Sequence, residues 1–206
     1  MHSTKHFPSG LEDRSNNPGA YDASDEYAYC IWIVPAYSSE VEIRYRKFTK
    51  WALSHEEDFQ NMRLPTAPHV TLAKGIHLKE GQSFESVLKH IASKKISPMD
   101  IKFGKVALGN TYFDRVHYQI LRTPALNELQ QAAYELVDEN FSDETREPYM
   151  PLIYAEAVEG YWGTSDPLLS LSSISNVNWE NPSFLELVQV NLNTHQGIIC
   201  GRVEVS

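Results

Sequence analysis

The chain has 206 residues, of which 42% are hydrophobic, and a formal net charge of −9. This is the size of one domain with enough apolar material for a core. The acidic balance argues against extended contact with nucleic acid, which rests on Lys and Arg neutralising phosphates. A membrane span needs ~20 consecutive apolar residues, and runs such as Cys30-Ile31-Trp32-Ile33-Val34 are only strand length.

The two cysteines, Cys30 and Cys200, both lie in β-like runs and read as buried reduced thiols, not as a disulfide framework. The N-terminus carries no hydrophobic signal core and no Arg-rich amphipathic stretch, so a cytoplasmic setting is expected. Residues 1–26, rich in Ser, Asn, Asp, Gly and Pro, read as a disordered tail, and residues 27–206 as the folded domain.

Tyr27 to Val34 is rich in β-branched and aromatic residues and ends at Pro35, so it predicts a strand. Val41, Ile43, Tyr45, Phe48, Trp51 and Ala52 recur at mostly helical spacing, giving a helix from Ser39 to about His55, with Ser38 or Ser39 as cap. His69 to Ala73 alternates as a strand behind a turn bracketed by Pro65 and Pro68. A helix from Phe84 to Ser93, a strand from Ile101 to Leu108 and a strand from Tyr112 to Leu121 follow. Ala125 to Phe141 is the clearest helix of the sequence, with Leu126, Leu129, Ala133, Leu136 and Val137 on one face.

Pro148-Tyr149-Met150-Pro151 reads as a proline-rich entry to a strand over Leu152 to Ala155. Leu168 to Ile174 is a short helix or loop. Phe184 to Asn193 and Gly197 to Val205 form a closing hairpin through Thr194-His195-Gln196. Short links between neighbouring strands favour antiparallel pairing, hence an α+β fold over a doubly wound parallel sheet.

Pro68-His69-Val70-Thr71-Leu72 is the chemically informative stretch. Residues two apart on a strand share a face, so His69 and Thr71 project side by side. An imidazole beside a hydroxyl can move a proton and donate a hydrogen bond to a phosphoryl oxygen.

In context, the chain resembles the plant and fungal cyclic phosphodiesterases of the two-histidine phosphoesterase superfamily. The resemblance runs from Tyr29 to the C-terminus: a first strand with Trp32 before Pro35, Ala67-Pro68 leading into His69-Val70-Thr71-Leu72, Arg122-Thr123-Pro124 opening a helix, and Pro148-Tyr149-Met150-Pro151 before Leu152-Ile153-Tyr154-Ala155-Glu156. It implies two pseudo-symmetric lobes, each an antiparallel sheet backed by helices, facing across a central cleft. It implies metal-independent opening of nucleoside 2′,3′-cyclic phosphates to 2′-phosphates, and of ADP-ribose 1″,2″-cyclic phosphate, a by-product of tRNA splicing. No cofactor is implied. The partner is a small cyclic phosphate, not a membrane or an extended nucleic acid, and a monomer is expected. His69 is implied as general acid or base, Thr71 as a phosphate ligand, and Trp32, Tyr154 and Tyr149 as substrate-contacting positions.

The family pattern carries a second His-x-Ser or His-x-Thr, and this sequence does not. Three residues are missing between Pro151 and Leu152 in the simplest alignment. Without a gap, Tyr149 stands at the histidine position and Pro151 at the hydroxyl position. No other histidine has a His-x-Ser/Thr setting, and His117, in a strand beside the expected cleft, is the nearest substitute. Three readings follow: a sequence short by three residues at this point, a nucleotide-binding pseudoenzyme of the same fold, or an enzyme working with another acid. An odd-numbered deletion also turns Tyr154 to the opposite face unless a bulge or a slip absorbs it.

Overall fold

The computed structural model describes residues 27–78, 81–137, 147–158, 179, 183–191 and 196–205, and the backbone of 11–13. Among the described residues, ten strands and three helices run in the order β1 (Leu11–Asp13), β2 (Tyr27–Pro35), α1 (Glu40–Leu53), β3 (Phe59–Gln60), β4 (Val70–Lys74), α2 (Phe84–Ser93), β5 (Lys102–Leu108), β6 (Val116–Leu121), α3 (Pro124–Tyr134), β7 (Tyr149–Ile153), β8 (Ala157–Val158), β9 (Ser183–Asn191) and β10 (Gly197–Val205).

The fold is α+β, with two principal sheets. The first has the order β1-β10-β9-β2-β4 and the second β5-β6-β7; β3 and β8 form a two-stranded ribbon. All pairings are antiparallel except that of β1 with β10. Leu11–Asp13, within the stretch expected as a tail, therefore forms a short edge strand through backbone pairing with Gly197, Ile198 and Ile199. The expected segment Leu168 to Ile174 and the turn residues Thr194 and His195 lie outside the described residues.

Helix starts follow local chemistry. The Ser39, Ser83 and Thr123 side chains accept the backbone N–H of Glu42, Ser86 and Leu126, respectively, and Pro124 occupies the first turn of α3. Each helix buries one face: Val41, Tyr45, Phe48 and Ala52 of α1, Val87, Leu88 and Ile91 of α2, Leu126 and Leu129 of α3. These join Ile31, Ile33, Leu72 and Leu187 of the first sheet and Val116, Tyr118, Met150 and Leu152 of the second in one continuous core. The two lobes are thus fused behind the sheets. A separate apolar cluster, Cys30, Trp32, Val34, Val188 and Val190, covers the opposite face of the first sheet.

Three expectations from sequence need correction. The helix expected to reach Phe141 ends at Tyr134, because the chain turns to pair elsewhere: Leu136 O accepts the His77 N–H at 2.8 Å and Val137 bridges Ile76. Residues 138–141 lie outside the described residues. The strand expected from Tyr112 begins only at Val116, since Asp114 Oδ1 accepts from Thr111 N at 2.8 Å and Thr111 Oγ1 at 2.7 Å, curling Tyr112–Asp114 into a 3-10 turn. Tyr149, Met150 and Pro151, expected as an entry segment, are part of β7. Pro151 is tolerated there because β7 is the edge of its sheet, where a missing N–H costs least.

That 3-10 turn is backed by Gly109, whose N–H donates to Arg115 O at 3.1 Å. A Cβ at Gly109 would lie 2.4 Å from the Asp114 carboxylate and carbonyl. Gly109→Ala is therefore expected to cost about 1–3 kcal/mol, read as a lower denaturation midpoint. An unchanged midpoint would show that the turn is not held as described.

Candidate active site

The site lies in a cavity of about 760 Å³ lined by both lobes, with Trp32, His69 and Thr71 on one side and Phe113, Tyr149, Pro151 and Tyr154 on the other. On the first sheet, Thr71 pairs across with Trp32 and Lys74 with Cys30, so these four side chains share the cavity face. His69 stands immediately before β4, and it lines the same cavity as Thr71, as their spacing predicts.

His69 is held on three sides. Its ring stacks on Trp32, with centroids 3.8 Å apart and planes 13° from parallel. Its Nδ1 lies 2.9 Å from the Ala67 carbonyl oxygen, which can only accept, so Nδ1 carries the proton. Nε2 is then the lone-pair nitrogen, and Tyr154 Oη approaches it at 3.4 Å as donor. The imidazole is 1% exposed. Burial outweighs the Ala67 carbonyl and lowers its pKa from the usual 6.5 to about 4. His69 is thus neutral near pH 7, with an acceptor nitrogen aimed into the cavity.

On the second lobe, Tyr149 and Pro151 both face the cavity, at the positions where an ungapped reading places the missing His-x-Ser/Thr. Tyr154 is not turned away, because a bulge of the kind that can absorb an odd deletion is present. Val116 pairs with Ile153 and His117 with Pro151, leaving Leu152 as an extra residue on β7. This bulge turns the chain so that Tyr154 faces the cavity with Tyr149 and Pro151.

Tyr154 is pinned by its backbone. Its N–H donates to Arg63 O at 2.9 Å and its carbonyl accepts from Arg63 N at 2.8 Å. Arg115 Nε donates to the next carbonyl, that of Ala155, at 3.1 Å. The ring meets Phe113 edge-on at 5.3 Å and Tyr112 at 5.9 Å. Burial pushes its phenol pKa well above the ordinary range, so it stays protonated.

His117 occupies β6 opposite Pro151. Its Nδ1 donates to Asp114 O at 2.7 Å, and its ring lies edge-on to Tyr149 at 5.4 Å. It is not among the residues lining the cavity, so it does not stand in the place of the second histidine.

Sequence reasoning did not single out Arg63, Lys74 and Phe113 as cavity residues. Lys74 lies one step beyond the strand expected from His69 to Ala73, and Arg63 and Phe113 arrive from irregular segments whose approach has no local signal. Among the described residues the cavity lining holds two cations, Arg63 and Lys74, against one carboxylate, Glu56. Cys30 also lines it, but burial pushes its thiol up to about 12, which leaves it unionised and a poor nucleophile. Among the described residues no three His, Cys, Asp or Glu side chains come together as a metal-binding group, and no helix is long and apolar enough to cross a membrane.

Residues 27–175 match the family described as cyclic phosphodiesterase-like protein. "Uncharacterized protein UNK4,15" of Schizosaccharomyces pombe is 51% identical over 196 residues, covering 94% of this chain and 94% of that protein. Among solved structures, E. coli LigT complexed with phosphate superposes with a TM-score of 0.50 at 14% identity, covering 88% of this chain and 99% of LigT. E. coli LigT complexed with NADP+ gives 0.50 at 15% identity, covering 86% and 98%. These last likenesses concern the fold alone.

The depressed pKa of His69 sets a pH window. Between pH 6.5 and 4 the unfolded chain takes up a proton that the folded site refuses. Stability should therefore be insensitive to this group above pH 6.5 and fall as the pH drops toward 4, by on the order of 3 kcal/mol. Chemical denaturation at stepped pH should show that loss in the native chain and a shallower slope in His69→Gln. Equal slopes would contradict the assignment.

Proposed function

Since the chain belongs to the cyclic phosphodiesterase-like family of the two-histidine phosphoesterase superfamily, we propose that it hydrolyses small cyclic phosphate esters in the cavity between its lobes. The substrates are nucleoside 2′,3′-cyclic phosphates, opened to 2′-phosphates, and ADP-ribose 1″,2″-cyclic phosphate. The observation that carries this reading is His69 with its Nδ1 proton fixed on Ala67 O and its acceptor nitrogen turned toward a cavity that Thr71 also lines.

The chemistry follows from what in-line opening requires. A proton leaves the attacking water on one side of phosphorus, and a proton reaches the departing ribose oxygen on the other. A neutral imidazole suits the first task, and His69 is assigned to it. Thr71 donates its hydroxyl to a non-bridging oxygen, whose charge grows in the transition state. Arg63 and Lys74 bias the cavity toward an anion within an acidic chain. Tyr149, on the opposite lobe, is assigned as donor to the leaving oxygen. A phenol with a reference pKa of ~10 is a weaker match than an imidazole, so turnover is slow. A cavity between two lobes fits a free small molecule and not a polymer.

A second reading is favoured by β7 itself, which presents Tyr149 and Pro151 where a second imidazole and hydroxyl are required. On that reading the protein binds a phosphorylated ribose without turning it over.

Purified protein incubated with a 2′,3′-cyclic nucleotide should release the 2′-phosphate. His69→Ala should lower the rate by about 10²–10⁴-fold, and Thr71→Ala by about 10²-fold. Equal rates for native and His69→Ala protein would overturn the assignment. Calorimetric binding of a 2′-nucleotide with turnover at background would establish the second reading in place of the first.

A further inference from the structure

The site leaves His69 in an unusual position for a group that must take a proton from water. It is 1% exposed, and the atom in front of its only lone-pair nitrogen is a protein atom, Tyr154 Oη at 3.4 Å. Tyr154 lines the cavity. Its backbone is tied to Arg63 by two hydrogen bonds, and the chain just past it is held by Arg115 and by Ala155 N donating to Tyr112 O at 3.1 Å. The phenol is therefore rigidly aimed. The 3.4 Å separation is long for a hydrogen bond, as catalytic hydrogen bonds often are before substrate binds.

We infer that Tyr154 is a catalytic residue of this site: its hydroxyl meets the attacking water and relays that water's proton to His69. The inference rests on the hydrolase reading above. Water attacks phosphorus and forms the new P–O bond while the ribose oxygen on the opposite side departs. The water's proton passes to Tyr154 Oη as the Tyr154 proton passes to His69 Nε2, so Tyr154 ends neutral and His69 ends as imidazolium. The leaving oxygen takes the proton of Tyr149. The His69 proton returns through Tyr154 to solvent, and solvent reprotonates the Tyr149 phenolate, which restores the resting site with no other reactant consumed.

The competing role is a cap, a ring that shields Nε2 until substrate displaces it. The two roles differ in sign. If Tyr154 only shields, Tyr154→Phe removes a hydrogen bond that competes for Nε2 and the rate holds or rises. If Tyr154 relays, the same variant keeps the ring packing against Tyr112 and Phe113 but breaks the proton path.

The test measures kcat and KM of the full chain on a 2′,3′-cyclic nucleotide for native protein, His69→Ala, Tyr154→Phe and protein carrying a ring-fluorinated tyrosine at position 154. The relay predicts that Tyr154→Phe lowers kcat by about 10²-fold or more with KM nearly unchanged. It also predicts that kcat of the fluorinated protein shifts with phenol acidity, a response that packing alone would not produce. Tyr154→Phe activity at or above the native level, or a fluorinated protein with native kcat, overturns the relay while leaving the hydrolase reading standing, provided His69→Ala is impaired. No turnover by the native protein overturns both.

Discussion

The hydrogen bond from His69 Nδ1 to the Ala67 carbonyl governs what the cleft can do. It fixes the imidazole in one tautomer and leaves a single acceptor nitrogen facing the cavity. Stacking on Trp32 sets the plane of the ring, and burial keeps it neutral. The same burial has a cost in chemistry. A base held near pKa 4 is unprotonated at neutral pH but takes a proton reluctantly, since the most effective general base titrates close to the working pH. A phosphate dianion or monoanion in the cavity would favour the imidazolium and raise that pKa. The resting site is therefore biased toward accepting a proton only when an anion is bound.

The second lobe gives this imidazole a hydroxyl neighbour, Tyr154, and places Tyr149 at the position of the missing second histidine. One extra residue on β7 decides the arrangement. Without the bulge at Leu152, strict alternation from Tyr149 and Pro151 would turn Tyr154 away from the cavity, and the Tyr154–His69 contact could not form. The pinned backbone around Tyr154, held by Arg63 and Arg115 from two irregular segments, makes that geometry rigid. The two sides of the cavity therefore differ: an imidazole just before β4 and a hydroxyl on it, facing two phenols and a proline.

Much of this was legible in the residues. β-Branched runs, serine and threonine caps and the His-x-Thr spacing each act locally, so β2, α1, α2 and the pairing of His69 with Thr71 on one face could be read directly. What could not be read depends on distant partners. The end of α3 is decided by where Leu136 and Val137 find Ile76 and His77. The turn before β6 is decided by one carboxylate on a threonine. The face presented by Tyr154 is decided by a bulge that only the pairing with β6 defines. The absence of the second His-x-Ser/Thr was plain in the sequence, as was the placing of Tyr149 and Pro151 at its positions without a gap; that both face the cavity required the register of β7.

The chemistry of the cleft depends on the state of His69. A long-range proton–nitrogen correlation spectrum of its ring, followed from pH 8 to pH 3.5, measures tautomer and titration together. The structure predicts a neutral ring at pH 7 protonated on Nδ1, with a midpoint well below the usual 6.5 and near 4. A ring protonated on Nε2, or one that titrates at or above 6.5, would contradict it.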